Sequence, residues 1–281
     1  MTSQRPSHAP RGAESPTSTV VETTVGALSA LRARPAGASR GTVLLVPGFT
    51  GSKDDFAPLL PLLAEAGWDA WTYSQRGQAD SVAPVGAAAY TLDAFTGDLL
   101  EVAALVGDGA AVHLLGHSFG GLVARAAVLA SPEAFLDVTL LCSGPRGWRS
   151  GKEERLQEVD ALGSLGIWER DHPELVDVAP ADLTDRDAFL RRRAEQTSAD
   201  NLRGIIEILW DPADRTEDLR ATGVRALVAH GETDDAWPID WQREMAITLG
   251  APYEIVPDAG HCPAEENPAA TSALLDRFWR G

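Results

Sequence analysis

The chain has 281 residues, with 24 basic against 41 acidic side chains and a formal charge of −17 at neutral pH. Such a balance repels a phosphate backbone or an anionic membrane surface, which argues against nucleic acid as a partner. No apolar run approaches the roughly 20 residues of a membrane helix, and Cys142 and Cys262 are too few for a disulfide framework or a cysteine metal site. At 44% hydrophobic and 23% charged residues the composition is that of a globular protein, expected in the cytoplasm.

Residues 1–18 are rich in Pro, Ser and Arg. They lack the apolar stretch of about 7–15 residues that a secretory signal needs, and read as a disordered leader. Val20–Val25 and Ala27–Ala33, split at Gly26, predict a β-hairpin. Gly41–Val46 is a continuous apolar run ended by Pro47-Gly48, as in a strand covered on both faces. Asp54–Ala66 has helical spacing, with Phe56, Leu59, Leu60 and Leu63 on one side, and Trp68–Tyr73 is the next strand. Ala89–Val106 repeats the helical pattern through Leu92, Phe95, Leu99, Val102 and Leu105. Ala111–Leu115 then predicts a strand, Phe119–Ala130 a helix and Asp137–Cys142 a strand. After a long gap come a strand at Val224–Ala229, a helix at Ile239–Leu249, a strand at Tyr253–Val256 and a last helix at Pro268–Trp279. Such alternation predicts a mostly parallel sheet with helices on both faces.

Residues 145–220 break the rhythm. No strand pattern occurs there, and 30 of the 76 residues are charged, well above the 23% of the whole chain. Helical pieces are expected around Lys152–Leu162, Thr184–Glu195 and Ala199–Trp210. The segment reads as a helical lid inserted in a core formed by 19–144 and 221–281.

The sharpest motif is Gly116-His117-Ser118-Phe119-Gly120-Gly121, a G-x-S-x-G between a strand and a helix. A serine on so sharp a turn needs small neighbours, and three glycines supply them. The helix N-terminus also favours developing negative charge. Ser118 is thus a candidate nucleophile, and its hydroxyl needs a base. Of six histidines, His8 is in the leader, His113 and His117 flank the turn, His172 is in the lid and His230 ends a strand. His261 sits in a loop between the last strand and the last helix, free to serve. An imidazole in that role needs a carboxylate to hold its tautomer. The strand Val224–Ala229 leads into His230-Gly231-Glu232-Thr233-Asp234-Asp235-Ala236-Trp237-Pro238. There Asp234 is preferred to Asp235 and Glu232, and the chain order is Ser, Asp, His.

With these residues in view, the chain from about Val20 onward resembles the α/β-hydrolase superfamily. The family's acid turn, G-x-x-D-x-x-x-P, falls on Gly231, Asp234 and Pro238, and its histidine loop on Gly260, His261, Glu265 and Pro268. The resemblance implies an α/β-hydrolase fold: a mostly parallel eight-stranded sheet flanked by helices, with a helical lid after strand 6. It implies a Ser118–Asp234–His261 triad and an oxyanion hole formed by the N–H groups of Phe49 and Phe119. The loop carrying Phe49 reads Pro47-Gly48-Phe49-Thr50-Gly51, with Pro47 where the family often has His. Of the family's D-x-R-G-x-G-x-S, Arg76, Gly77 and Ser81 match and Ala79 replaces the second glycine, a segment assigned no catalytic role.

The implied activity is hydrolysis of a small or medium ester, lactone or thioester. Gly48–Gly51 is similar to the same stretch in bacterial carboxylesterases and monoacylglycerol lipases. Ser118 rules out the aspartate-nucleophile chemistry of epoxide hydrolases and haloalkane dehalogenases. Carbon–carbon bond hydrolysis of ring-cleavage products, cofactor-free haloperoxidation and ligand sensing remain alternatives. Trp148, Trp168, Trp210 and Trp237 are candidate pocket aromatics. The sequence has no H-E-x-x-H and no G-x-x-x-x-G-K-S/T, so no metal or cofactor is expected.

Overall fold

A computed structural model describes residues 15–147, 151–179, 181–211 and 213–281. Eight strands form one sheet: β1 Thr17–Thr23, β2 Gly26–Ala33, β3 Thr42–Val46, β4 Asp69–Tyr73, β5 Val112–His117, β6 Phe135–Leu141, β7 Arg225–Gly231 and β8 Tyr253–Val256. Their spatial order is β1-β2-β4-β3-β5-β6-β7-β8. β2 runs antiparallel to both β1 and β4, and every other pairing is parallel. The hairpin turn closes at Gly26, whose φ of 120° suits glycine. Thr17 and Ser18 pair with Arg32 and Leu31, so β1 begins inside the stretch expected to be leader, whose residues 1–14 lie outside the described ones.

The continuous apolar run of β3 feeds two cores. Leu44 and Val46 face one, with Leu99, Val102, Val123, Val128 and Met245; Val43 and Leu45 face the other, with Leu60, Leu63, Leu275 and Trp279. The first face is covered by helices α2 (Leu92–Val106), α3 (Phe119–Ala130) and α8 (Ile239–Leu249), the second by α1 (Leu60–Glu65) and α10 (Pro268–Trp279). Between them in sequence lie α4 (Lys152–Asp171), α5 (Asp185–Gln196), α6 (Ala199–Leu209), α7 (Thr216–Ala221) and α9 (Pro263–Glu266).

Several boundaries depart from the sequence pattern for identifiable reasons. The helix expected over Asp54–Ala66 is a 3-10 turn at Lys53–Phe56 followed by α1. Pro58 and Pro61 lack the N–H groups that would have joined the two pieces. α2 starts at Leu92 because Thr91 caps it, accepting from the Ala94 N–H, and Leu105 on that helix is exposed. α4 runs past Leu162 to Asp171, but only across a break at Gly163, whose φ is 63° and ψ −175°. Helix α7 has no counterpart in the sequence pattern; Thr216 and Leu219 are its buried side chains. Among the described residues no strand falls between β6 and β7.

The chain leaves β3 toward β4 on one side and returns to β5 on the other. A crevice forms at such a switch, outside the carboxyl ends of the parallel strands.

Candidate active site

The loops after β3, β5, β7 and β8 meet at that crevice. After β5 the chain turns directly into α3 with Ser118 at φ 55° and ψ −122°, a conformation costly for a non-glycine residue. Packing enforces it. A side chain at Gly116 would strike the backbone of Gly120 and Gly121, one at Gly120 the backbone of Val46, and one at Gly121 the side chain of Ser143. The Ser118 N–H donates to the Leu141 carbonyl at 2.9 Å, fixing the turn to β6.

The Ser118 hydroxyl lies 3.0 Å from His261 Nε2, and His261 Nδ1 lies 2.8 Å from Asp234 Oδ1. Asp234 accepts further bonds from the Ala236 N–H at 3.1 Å and from Gln242 Nε2 at 3.2 Å. Burial alone would raise the Asp234 pKa. The hydrogen bond and charge of His261, the Ala236 N–H and Gln242 outweigh it and hold the carboxyl below its ordinary value. Asp235, the neighbouring alternative, is exposed and makes neither bond to His261 nor to Gln242. The structure thus brings Ser118, Asp234 and His261 into one hydrogen-bonded line.

His117, set aside on sequence grounds, supports this line from below. Its Nε2 lies 2.6 Å from the His261 carbonyl, and the two rings are 4.9 Å apart. Burial, then the neighbouring His261 charge, pulls its pKa down to about 4, so at neutral pH it is uncharged and Nε2–H donates. The histidine loop is tied by Glu266, which accepts from the Gly260 and Cys262 N–H groups. Glu265, the residue the family pattern pointed to, instead pairs with Arg186 of α5. The other histidines are engaged elsewhere: His113 with Asp137, His172 with the Trp168 carbonyl, His230 with Tyr253.

The loop after β3 packs against Ser118, since a Cβ on Gly48 would stand 3.0 Å from that of Ser118. Two glutamines missed by the sequence reading orient it. Gln75 Nε2 donates to the Pro47 carbonyl at 3.0 Å and Gln78 Nε2 to the Gly48 carbonyl at 2.7 Å. With these carbonyls turned toward the glutamines, the following N–H, that of Phe49, is free of any hydrogen bond among the described residues. The Phe119 N–H is in the first turn of α3, where no helical acceptor exists. Both glutamines lie in the partly matched Arg76-Gly77 segment, and that partial match was the signal available for them.

A cavity of about 670 Å³ opens over Ser118 and His261. Its lining is partly apolar, from Phe49, Leu209, Trp210, Ala236 and Trp237, and partly charged, from Glu154, Arg155 and Glu158 of α4 and from Asp235. Trp210 and Trp237 line it. Trp168 does not. It borders a separate hollow of about 210 Å³ behind Thr50, and Trp148 lies outside the described residues. Two cysteines complete the surroundings: Cys142 is buried, with Sγ 3.9 Å from the Gly260 carbonyl, and Cys262 is half-buried.

Strand order, crevice and elbow define the class, and sequence comparison agrees: residues 43–274 match the model of the alpha/beta hydrolase family, so the chain belongs to that family. A curated relative, a non-heme haloperoxidase of Rhodococcus erythropolis, is 26% identical over 265 residues, covering 82% of this chain and 89% of its own. Among solved structures, an enol-lactonase of Burkholderia xenovorans superposes with a TM-score of 0.75 at 21% identity, covering 94% of this chain and 100% of the other. A bromoperoxidase of Bacillus anthracis gives 0.75 at 18% identity, with coverage of 94% and 100%. A thermophilic esterase of Thermogutta terrifontis gives 0.72 at 21%, with coverage of 94% and 98%. At these identities the structures speak for the shared fold.

Proposed function

We propose that the protein is a serine hydrolase that cleaves a small or medium carboxylic ester, lactone or thioester through an acyl-enzyme on Ser118. The observation that carries this reading is the hydrogen-bonded line Ser118–His261–Asp234 at the base of the cavity. In the proposed reaction, Ser118 Oγ attacks the carbonyl carbon while its proton passes to His261 Nε2. Asp234 holds the Nδ1–H and stabilises the imidazolium. The oxyanion of the tetrahedral intermediate accepts bonds from the Phe49 and Phe119 N–H groups, donors worth about 10²–10³ in rate each. Collapse expels the alcohol, which takes the proton from His261. Water then repeats the sequence and releases the acid.

In this reading the helices between β6 and β7 form a lid that shapes the substrate's binding space, while the reacting groups all lie on the core loops. A fluorophosphonate probe should add one label to the intact protein, and Ser118→Ala should abolish it. Label retained by that variant would overturn the assignment. Asp234→Asn should lower kcat about 10⁴-fold with the fold intact, because the imidazole loses its tautomer. A mild effect would mean that another carboxylate orients His261. The haloperoxidase relative motivates one further assay: bromide oxidation with hydrogen peroxide exceeding hydrolysis of every ester tested would shift the assignment to that activity.

A further inference from the structure

The cavity over Ser118 is lined by both aromatic and charged side chains. Phe49 and Trp210 present aromatic surface beside the buried Trp237, and the face of α4 at Glu154, Arg155 and Glu158 presents charge, at the spacing of one helix side. The charges are unequally answered. Arg155 is bound to Glu158 at 2.5 Å; Glu158 also pairs with Arg170, and Arg170 with Asp171 at 2.6 Å. That group of two cations and two anions closes on itself. Glu154 and Asp235 are different: both are exposed to the cavity, and neither has an ion-pair partner among the described residues. Among the described residues the uncompensated charge of the cavity lining is therefore negative, inside a chain whose overall charge is −17.

Aromatic side chains and free carboxylates lining one cavity are groups that attract an organic cation. Ring faces draw a positive group through their quadrupole, best when it is weakly hydrated, and the carboxylates add Coulomb attraction. An anionic substrate meets the reverse on both counts, unless it first breaks the Arg155–Glu158 pair. We propose that this cavity selects esters whose non-reacting portion carries a quaternary or protonated amine, with Phe49 and Trp210 holding the cation and Glu154 and Asp235 attracting it. The proposal rests on the serine-hydrolase reading for its chemistry, but the charge preference belongs to the cavity itself.

The test uses three aryl butyrates differing in charge, with two methylenes insulating it from the phenol oxygen: 4-(2-trimethylammonioethyl)phenyl, 4-(3,3-dimethylbutyl)phenyl and 4-(2-carboxyethyl)phenyl. The cationic ester should exceed the neutral one in kcat/KM by about tenfold at low ionic strength and the anionic one by more. The margin should shrink with added salt and in the Glu154→Gln/Asp235→Asn double variant, whose changes are isosteric and exposed. Equal rates for the cationic and neutral esters would overturn the proposal. So would a preference for the carboxylate ester that Arg155→Gln removes, since Arg155 would then be an anion site. A binding measurement separates this outcome from failure of the hydrolase reading. Phenyltrimethylammonium should bind Ser118→Ala protein at least about ten times more tightly than benzoate in calorimetry, and the double variant should lose that difference. If the binding preference is present and no ester turns over, only the hydrolase reading falls. If esters turn over and benzoate binds as well as the cation, only the charge preference falls.

Discussion

Helices α4 and α6 both border the cavity, yet they are buried to very different extents. α6 buries Asn201, Leu202, Gly204, Ile205, Ile206 and Leu209, and Ile205 and Leu209 belong to the same core as the sheet. A side chain at Gly204 would run into Tyr90. Around its start, Asn201 Nδ2 donates to the Arg76 carbonyl at 2.7 Å, the Ser198 N–H to the Gly77 carbonyl at 2.9 Å, and the Ala79 N–H to Thr197 Oγ1 at 3.2 Å. The longer α4 buries only Val159 and Trp168 and is broken at Gly163; it meets α6 through a small apolar cluster, Val159 with Leu202 and Ile206, and through the ion pairs Lys152–Glu207 and Arg203–Asp160. Half-exposed pairs of this kind are each worth at most about 1 kcal/mol. α6 is thus part of the core in all but sequence position, and fixes the Leu209–Trp210 wall. α4 is anchored by fewer buried side chains, Val159 against Leu202 and Ile206 together with Trp168, and its charged face is partly exposed.

The contrast is open to direct attack. Ile205→Ala should cost about 2–5 kcal/mol, as a fully buried aliphatic side chain does, whereas Leu162→Ala on the exposed side of α4 should stay within about 0.5 kcal/mol. Urea midpoints of the two variants measure this, and comparable losses would abolish the distinction between the helices.

A somewhat smaller effect concerns pH. His117 is held near pKa 4 in the folded protein against an ordinary 6.5. Between those values the unfolded chain takes up a proton that the folded one refuses, so stability falls as pH drops through that window, by up to about 3 kcal/mol. His117→Gln should flatten the fall in Tm between pH 6.5 and 4. An unchanged slope would place the acid sensitivity in other groups, α4's carboxylates included.

The smallest effect should come from the contact between Arg186 of α5 and Glu265, where Arg186 is largely exposed. Arg186→Ala should change stability by less than about 1 kcal/mol. A larger loss in thermal denaturation would show that the outer helices are fastened more firmly than their burial implies.

Much of the fold was legible because local patterns and global packing agree. The buried run at Val43–Val46 is a strand in any two-sided sheet, and the bounds Phe119–Ala130, Ile239–Leu249, Tyr253–Val256 and Pro268–Trp279 coincide with helices α3, α8 and α10 and strand β8. Ser118 was legible from its glycines, because a strained turn leaves a steric signature within a few residues. Asp234 and His261 were readable from loop position and chain order. What the sequence pattern missed is equally systematic. Helix α7 is short and polar, and its burial depends on partners remote in the chain. The partners of Gln75, Gln78 and His117 are backbone carbonyls at Pro47, Gly48 and His261, contacts that have no composition and so leave no trace in a one-dimensional pattern.

The sequence by itself therefore determined the sheet-and-helix alternation, the elbow and the order of the three candidate residues, since each depends on neighbours close along the chain. Only the tertiary structure decided that Trp210 and Trp237 line the Ser118 cavity while Trp168 faces another, and that Glu266 rather than Glu265 ties the histidine loop. It alone decided which charges of α4 are paired and which face the cavity. Those outcomes depend on side-chain direction and on long-range packing, which the helical period does not fix on a face as uniformly charged as that of α4.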